Sequence, residues 1–253
     1  KPTLAVILAN DNPSSALYVS SKEKKCKELN FNSKIFKFDK NVKQDELVKL
    51  IKKLNEDNET DAILIQLPLF NHLDKDELIE LIDPMKDVDG FHPVNVGKLH
   101  SGLSPYAICC TPKGIIKLLC AYDIELSGKS AVVIGRSNIV GRPVAALLEQ
   151  KNATVTLAHS KTKNLSEITK KADIIVCATG KINTLTKDMV KKDVVIVDVG
   201  ITKNEKGEIK GDVDFENVKE YASYITPVPK GVGPMTIACL MENTYELYLK
   251  RRG

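Results

Sequence analysis

The sequence predicts an α/β protein with two domains, each built on a mostly parallel sheet. Short apolar segments alternate with amphipathic segments from end to end, and this alternation is typical of strand–helix–strand units. The chain has 253 residues, 43% of them hydrophobic, which is enough for one large domain or two modest ones. The apolar segments fall into two series, and this grouping favours two domains.

The first series lies ahead of residue 93. Strands are predicted at 3–9, 33–38 and 61–67, with helices over about 14–30 and 43–57. Beyond residue 93, Gly97, Gly102 and Pro105 interrupt any regular period, so we place a domain junction there. A new helix begins at Thr111-Pro112, because Pro is well tolerated in the first helical turn.

The second series completes the predicted fold. Its strands are predicted at 130–134, 154–158, 174–178 and 194–199, with helices between them. A second break lies in the segment 227–234, which is rich in Pro and Gly. We predict that the last helix, 235–249, packs back on the first domain and that residues 250–252 form its frayed, solvated end. The predicted domains are residues 1–108 with 234–253, and residues 109–233.

The composition argues against several classes of protein. The net charge of +4 is small against 37 basic and 33 acidic residues, and the lysines are spread along the chain, so no nucleic-acid partner is indicated. No apolar run approaches the ~20 residues of a membrane span, and the chain does not open with a signal-peptide pattern. We therefore expect no membrane partner and a soluble, cytoplasmic protein.

The six cysteines do not indicate a metal or redox site. They form no C-x-x-C pair and have no matching histidine spacing, so we predict no metal site and no thioredoxin-type motif. Small core residues in a reducing compartment are the expected role.

Lys22 is the first candidate for a catalytic residue. On a helical wheel over residues 14–30, Tyr18, Val19, Cys26 and Leu29 fall in one arc, and Lys22 lies in the middle of it. Burial disfavours the charged form of a lysine and brings its pKa toward the range useful for proton transfer. The alternative is a lysine whose stem runs along the apolar face to solvent.

Two polar features follow the third predicted strand. Gln66 ends that strand, and ligands in open α/β sheets bind beyond the carboxyl ends of strands, so it can contact a ligand or the Lys22 amine. The alternative is an amide that ties down the turn at Pro68. Asp87 and Asp89 precede a glycine, and in isolation this pattern predicts a simple turn.

A dinucleotide-type turn follows the strand at 130–134. Gly135 permits a sharp turn, a helix is predicted to open near Asn138, and Gly141 allows that helix to approach the strand. This pattern predicts a Rossmann-like, doubly wound second domain. Because the spacing is not G-x-G-x-x-G, a plain strand–turn–helix in another doubly wound fold is the alternative.

The end of the next strand favours NADP over NAD. An NAD-preferring fold usually ends this strand with a carboxylate for the ribose hydroxyls, and residues 155–163 contain none. Arg136, Ser160 and either Lys161 or Lys163 would instead suit a 2′-phosphate. A solvated basic loop is the alternative.

Taken together, six segments of this chain resemble one family. They are residues 12–22, 66–69, 86–95, 110–112, 135–143 and 224–236. Their content and order are similar to the bifunctional methylenetetrahydrofolate dehydrogenase/cyclohydrolases of one-carbon metabolism. The resemblance implies that NADP⁺ oxidises 5,10-methylenetetrahydrofolate, that the methenyl product is hydrolysed to 10-formyltetrahydrofolate, and that the enzyme is a homodimer.

The resemblance also implies roles for individual residues. Lys22 is the general acid/base, Tyr18 packs on the folate, Gln66 tunes the lysine and Asp89 holds the pterin. Further predicted substrate contacts are Ser15, Pro229, Gly233 and Thr236, although Ser15 could equally cap the helix start. The predicted cofactor-binding residues are Gly135, Arg136, Ser137, Ile139, His159, Ser160, Gly180, Gly200 and Ile201.

The chain departs from the family pattern at a few positions. Lys230 stands where Gly is usual, and Cys109 and Phe70 stand where Pro is usual. The helix and strand that precede the position of Lys1 in the family lie outside this sequence, which suggests a fragment or a chain whose first residues are not included. For Lys230 and Cys109 we expect altered affinity or loop motion before loss of chemistry, and for Phe70 only a change in packing. The alternatives are a dehydrogenase without efficient cyclohydrolase activity and an NADP-binding protein without turnover.

Overall fold

The computed structural model describes residues 1–252 and divides the chain into two compact units. The first contains Lys1–Ile108 and the C-terminal residues from Leu240, and the second contains Cys109–Cys239. The prolines and glycines of residues 227–234 predict a later boundary at 233/234. The helix that follows is continuous from Val232 to Arg252, so the division falls inside it.

The first unit is a three-stranded parallel sheet with helices. Its elements are β1 (Thr3–Leu8), α1 (Pro13–Glu28), β2 (Asn32–Lys37), α2 (Gln44–Glu56), β3 (Ala62–Ile65), α3 (Lys75–Leu81) and α4 (Pro93–His100). The sheet order is β2-β1-β3. All residues of β1 and β3 are buried, as the apolar runs in the sequence predicted, whereas β2 is a half-buried edge.

Helix α4 corrects our interpretation of residues 93–100 as an irregular junction. Pro93 occupies its first turn, and the His92 side chain accepts a hydrogen bond from the Val94 N–H at 3.0 Å. Gly97 lies inside the helix, with open space where a Cβ would stand. One glycine weakens a helix without necessarily ending it.

The second unit is a five-stranded parallel sheet with a short hairpin. Its elements are α5 (Cys110–Ala121), β4 (Ser130–Ile134), α6 (Gly141–Gln150), β5 (Thr154–Ala158), α7 (Leu165–Thr169), β6 (Ile174–Cys177), β7 (Val194–Asp198), β8 (Thr202–Lys203), β9 (Ile209–Lys210), α8 (Phe215–Val218) and β10 (Ala222–Ile225). The sheet order is β10-β7-β6-β4-β5, and β8 and β9 pair antiparallel. The chain runs outward from β4 to β5 and then returns past β4, as in a doubly wound fold.

The last helix, α9 (Val232–Arg252), packs on the first unit through its C-terminal half, as predicted. The Asn243 side chain donates to the carbonyls of Val88 and Ile108 at 2.9 and 2.8 Å. The prediction of a frayed basic end was wrong. Lys250 donates to the Tyr106 carbonyl, and Arg252 bonds the buried Asp61 carboxylate at 2.9 Å, because this unit presents acceptors to the helix end.

No helix within residues 1–252 combines the length and the apolar character needed to cross a bilayer.

Candidate active site

Lys22 and Gln66 meet at the carboxyl end of the first sheet. Lys22 is half-buried on α1, and its Nζ donates to Oε1 of Gln66 at 2.9 Å. Gln66 directly follows β3, and its Nε2 donates to the Leu67 carbonyl at 2.9 Å, just before the cis Leu67–Pro68 bond. The Gln66 side chain therefore orients the lysine amine and also stabilises the turn at Pro68.

Asn10 is a member of this arrangement that sequence reasoning missed. It lies beyond the end of β1, and its Nδ2 donates to the Pro68 carbonyl at 2.6 Å. Its Oδ1 accepts from the Asn12 N–H at 3.0 Å. Asn10 thus connects the start of α1 to the turn that carries Gln66. A polar residue after a buried strand was the available signal, the same one that singled out Gln66.

Tyr18 lies four residues before Lys22 and shares its face of α1. Its side chain is 43% exposed, so it is available to a ligand. Ser15 is buried and is not the helix cap, because Asn12 holds that position and accepts from the Ser14 N–H at 2.9 Å. Leu29 does not belong to the buried arc, since α1 ends at Glu28 and Leu29 is exposed.

The segment with Asp87 and Asp89 is more than a simple turn. Asp87 bridges to Ile63 of β3, and its buried carboxylate accepts from the His92 N–H and the Asn95 side chain at 2.9 and 2.8 Å. Burial raises the pKa of Asp87. Asp89 is half-buried, two residues further on. Asp87 thus stabilises the segment, and Asp89 is left as the candidate for ligand contact.

Lys86, beside this segment, is buried for a structural reason. Its Nζ donates to three carbonyls at the C-terminal end of α2, those of Leu54, Asn55 and Asp57, at 2.7, 2.7 and 2.8 Å. Burial lowers the pKa of Lys86 to about 8. A cation is favourable at a helix C-terminus, so Lys86 stabilises the end of α2.

The remaining predicted substrate residues belong to the second unit. Pro229 follows a cis Val228–Pro229 bond, Gly233 is the second residue of α9, and the Thr236 hydroxyl lies 2.9 Å from that of Thr111. Lys230 adopts a positive φ of 76°, a conformation that suits the glycine usual at this position. Their role in binding a substrate stays a prediction.

The turn after β4 requires glycine at two positions. Gly135 has a φ of +120°, and a Cβ there would lie 2.1 Å from the Ala178 carbonyl oxygen. A Cβ on Gly141 would lie 2.0 Å from the Gly135 carbonyl oxygen. The turn is therefore free of side chains at its narrowest point, which suits the close approach of a pyrophosphate.

Helix α6 begins later than predicted, at Gly141 instead of Asn138. Residues 138–140 form a turn, and Ser137 Oγ accepts from the N–H groups of Val140 and Gly141 at 3.2 and 3.4 Å. Arg136, Ser137 and Ile139 are exposed.

The turn after β5 is cationic and exposed. His159 is half-buried, and its Nδ1 accepts from the Lys161 N–H at 3.2 Å. Ser160, Lys161 and Lys163 are exposed. Gly180 and Gly200 follow β6 and β7, with Ile201 exposed beside Gly200. All four turns lie at the carboxyl ends of parallel strands and therefore at one edge of the sheet.

Comparison with known proteins identifies the family. Residues 1–89 match the catalytic domain, and residues 109–252 the NAD(P)-binding domain, of tetrahydrofolate dehydrogenase/cyclohydrolase. The chain belongs to the tetrahydrofolate dehydrogenase/cyclohydrolase family. The resemblance to this family that the sequence motifs indicated is confirmed.

Individual members of the family are similar over almost the whole chain. The bifunctional protein FolD of Thermodesulfovibrio yellowstonii is 55% identical over 252 residues, covering 99% of this chain and 88% of that one. The crystal structure of the bifunctional FolD enzyme of Campylobacter jejuni is 53% identical with a TM-score of 0.96, covering 98% of this chain and 89% of that one. The FolD structure of Trypanosoma brucei, a complex with NADP and an inhibitor, is 36% identical with a TM-score of 0.94, covering 99% and 87%.

Proposed function

We propose that this chain oxidises 5,10-methylenetetrahydrofolate with NADP⁺ and hydrolyses the methenyl product to 10-formyltetrahydrofolate. The observation that carries the proposal is the Lys22–Gln66 hydrogen bond at the carboxyl end of the sheet, in a domain of the tetrahydrofolate dehydrogenase/cyclohydrolase family. The T. brucei relative, which is complexed with NADP, supports the choice of cofactor.

The turns of the second unit fit a dinucleotide. Gly135 and Gly141 leave the turn after β4 open, and the N–H groups at the start of α6 can bind phosphate. Arg136 and Ser160 are exposed and carry the donors that a 2′-phosphate needs. When bound, NADP⁺ accepts the hydride that leaves the methylene carbon of the folate.

Lys22 transfers protons in the hydrolysis step. A neutral amine can take a proton from the water that attacks the methenyl carbon, and the resulting ammonium can return that proton to the ring nitrogen as the carbon–nitrogen bond breaks. The proton of the remaining hydroxyl leaves to solvent as the formyl group forms, which accounts for the lost charge of the methenyl cation. Gln66 accepts from Nζ and so aims the amine. An amide oxygen does this without adding a negative charge that would favour the ammonium.

Asp89 and Tyr18 would hold the substrate. A carboxylate accepts paired hydrogen bonds from an amino-pyrimidinone edge, and Asp89 is half-buried where part of its charge remains accessible. The exposed ring of Tyr18, one turn before Lys22, offers a face on which the folate can pack. Ser15, Pro229, Gly233 and Thr236 complete the proposed substrate contacts.

The test is to mix the protein with 5,10-methylenetetrahydrofolate and either NADP⁺ or NAD⁺, following the reduced cofactor and the methenyl compound at separate wavelengths. We expect reduction that is faster with NADP⁺ and little accumulation of methenyl compound. Accumulation at the rate of reduction would indicate a dehydrogenase alone. No reduction with either cofactor would contradict the proposal.

We also propose a cytoplasmic location and a homodimer. None of the six cysteines forms a disulfide, which suits a reducing compartment. The dimer is tested by light scattering coupled to gel filtration, where a mass of one chain would contradict it.

A further inference from the structure

Two buried aspartates lie at the carboxyl edge of the second sheet and take no part in the proposed proton and hydride transfers. Asp198 is the last residue of β7, and Asp212 follows the β8–β9 hairpin. Both are almost completely buried, at 2% and 0% exposure. A buried carboxylate is costly unless its oxygens accept hydrogen bonds, so its partners indicate its role.

Asp198 joins the turn after β7 to the segment after the hairpin. Its Oδ1 accepts from the N–H groups of Gly200 and Asp212 at 3.1 and 2.9 Å. Its Oδ2 accepts from the N–H of Val213 at 3.0 Å. One side chain therefore holds backbone on both sides of the hairpin.

Asp212 extends this connection to the turn after β6. Its Oδ2 accepts from the Thr179 N–H, the Thr179 hydroxyl and the Gly180 N–H at 2.5, 2.9 and 3.1 Å. Three donors on one oxygen fix the position of this turn. Through the two aspartates, the turns after β6 and β7 are held as one assembly.

The two aspartates pack so closely against Gly200 and Gly211 that neither glycine can be replaced by a larger residue without a clash. A Cβ on Gly200 would lie 1.9 Å from Asp212 Oδ1, and a Cβ on Gly211 would lie 1.9 Å from Asp198 Oδ2. Among the buried side-chain nitrogen and oxygen atoms of residues 1–252, Asp212 Oδ1 is the one without a hydrogen-bond partner. A buried oxygen without a hydrogen bond lowers stability, so a carboxylate at this position must have a compensating structural or functional role.

We propose that Asp198 and Asp212 are positioning residues for the cofactor. They hold the turns that carry Gly180, Gly200 and Ile201 in the conformation that binds the dinucleotide, and they act through the backbone of those turns. The inference rests on the proposed function, because it assigns these turns to NADP. It adds two residues that the motifs of the sequence did not single out.

The experiment measures the Kd of NADP⁺ by calorimetry for the wild type, Asp212→Ala and Asp212→Asn. Removing the acceptor of three hydrogen bonds should raise Kd about tenfold or more in Asp212→Ala. Asp212→Asn should show a smaller increase, because its amide oxygen can still accept from Thr179 and Gly180. Hydrolysis of added methenyltetrahydrofolate without cofactor should be unchanged in both variants.

Asp173→Asn is the matched control. Asp173 also ties strands of this sheet, accepting from the Ser130 N–H at 2.8 Å and Lys191 Nζ at 2.6 Å, but it lies at the amino ends of β4 and β6. Its Kd for NADP⁺ should equal that of the wild type. If Asp212→Ala does not fold, Asp212→Asn decides the test.

The inference is overturned if the Asp212 variants bind NADP⁺ as the wild type does. It is also overturned if cofactor affinity, cofactor-free hydrolysis and melting temperature all fall together, since that pattern indicates a general structural role. A wild type that does not bind NADP⁺ would overturn the proposed function itself, and the inference with it.

Discussion

Buried carboxylates in this protein differ in their chemistry because their neighbours differ. Asp61 pairs with the Arg252 guanidinium, whereas Asp87 accepts from the neutral N–H donors of His92 and Asn95. Asp198 lies near a second carboxylate, that of Asp212. Burial, together with this neighbouring charge, raises the pKa of Asp198 from 3.8 to about 6. The residue type alone predicts none of these differences.

The raised pKa of Asp198 predicts a pH dependence of stability. Between pH 3.8 and about 6 the folded chain holds a proton at Asp198 that the unfolded chain has released. This contribution is fully present below pH 3.8 and is lost as the pH rises through about 6. The free energy of unfolding of the wild type, relative to Asp198→Asn, should therefore fall by about 2 kcal/mol over this range in urea titrations. A difference that does not change with pH would contradict the assigned pKa.

Gln66→Glu tests how the lysine amine is tuned. A carboxylate 2.9 Å from Lys22 Nζ would favour the ammonium over the amine. If the amine is the base, cyclohydrolase activity at neutral pH should fall and should recover as the pH is raised. The measurement is the pH–rate profile of methenyl hydrolysis. A profile identical to that of the wild type would show that Gln66 does not tune Lys22.

At the scale of secondary structure, burial determined what the sequence could predict. The central strands appeared as apolar runs, and their bounds were predicted within about two residues. Strand β10 was missed because Ala222–Ile225 is a partly exposed edge with a serine and a tyrosine. The start of α6 was predicted too early because the sequence does not distinguish the turn at 138–140 from a first helical turn.

The end of α9 carries a prediction at this scale. Asp61 is fully buried and faces both Arg251 and Arg252, at 3.6 and 2.9 Å. The double variant Arg251→Ala/Arg252→Ala removes both guanidinium groups that pair with this carboxylate. It should lower the free energy of unfolding by about 3 kcal/mol, the usual cost of an uncompensated buried charge. Lys250→Ala is the control, because its exposed bond to the Tyr106 carbonyl should contribute less than about 1 kcal/mol. An equal effect of the two variants would contradict this account.

At the scale of the whole molecule, two parallel sheets each present polar side chains at their carboxyl ends. In the first, Asn10 and Gln66 follow the adjacent strands β1 and β3. In the second, the turns after β4 to β7 carry the predicted cofactor residues. The positions of Gln66 and of the turns in the second sheet could be predicted because they follow apolar strands. Asn10, Asp198 and Asp212 were not predicted, since their roles depend on backbone contacts between segments distant in sequence.

The most direct test of the central claim compares Lys22→Met with the wild type in both reactions. Lys24→Met, an exposed lysine on the same helix, is the control. The account predicts that Lys22→Met loses hydrolysis of added methenyltetrahydrofolate and still binds NADP⁺, while Lys24→Met retains both activities. Methenyl hydrolysis at the wild-type rate in Lys22→Met would contradict the assignment of Lys22 as the general acid/base.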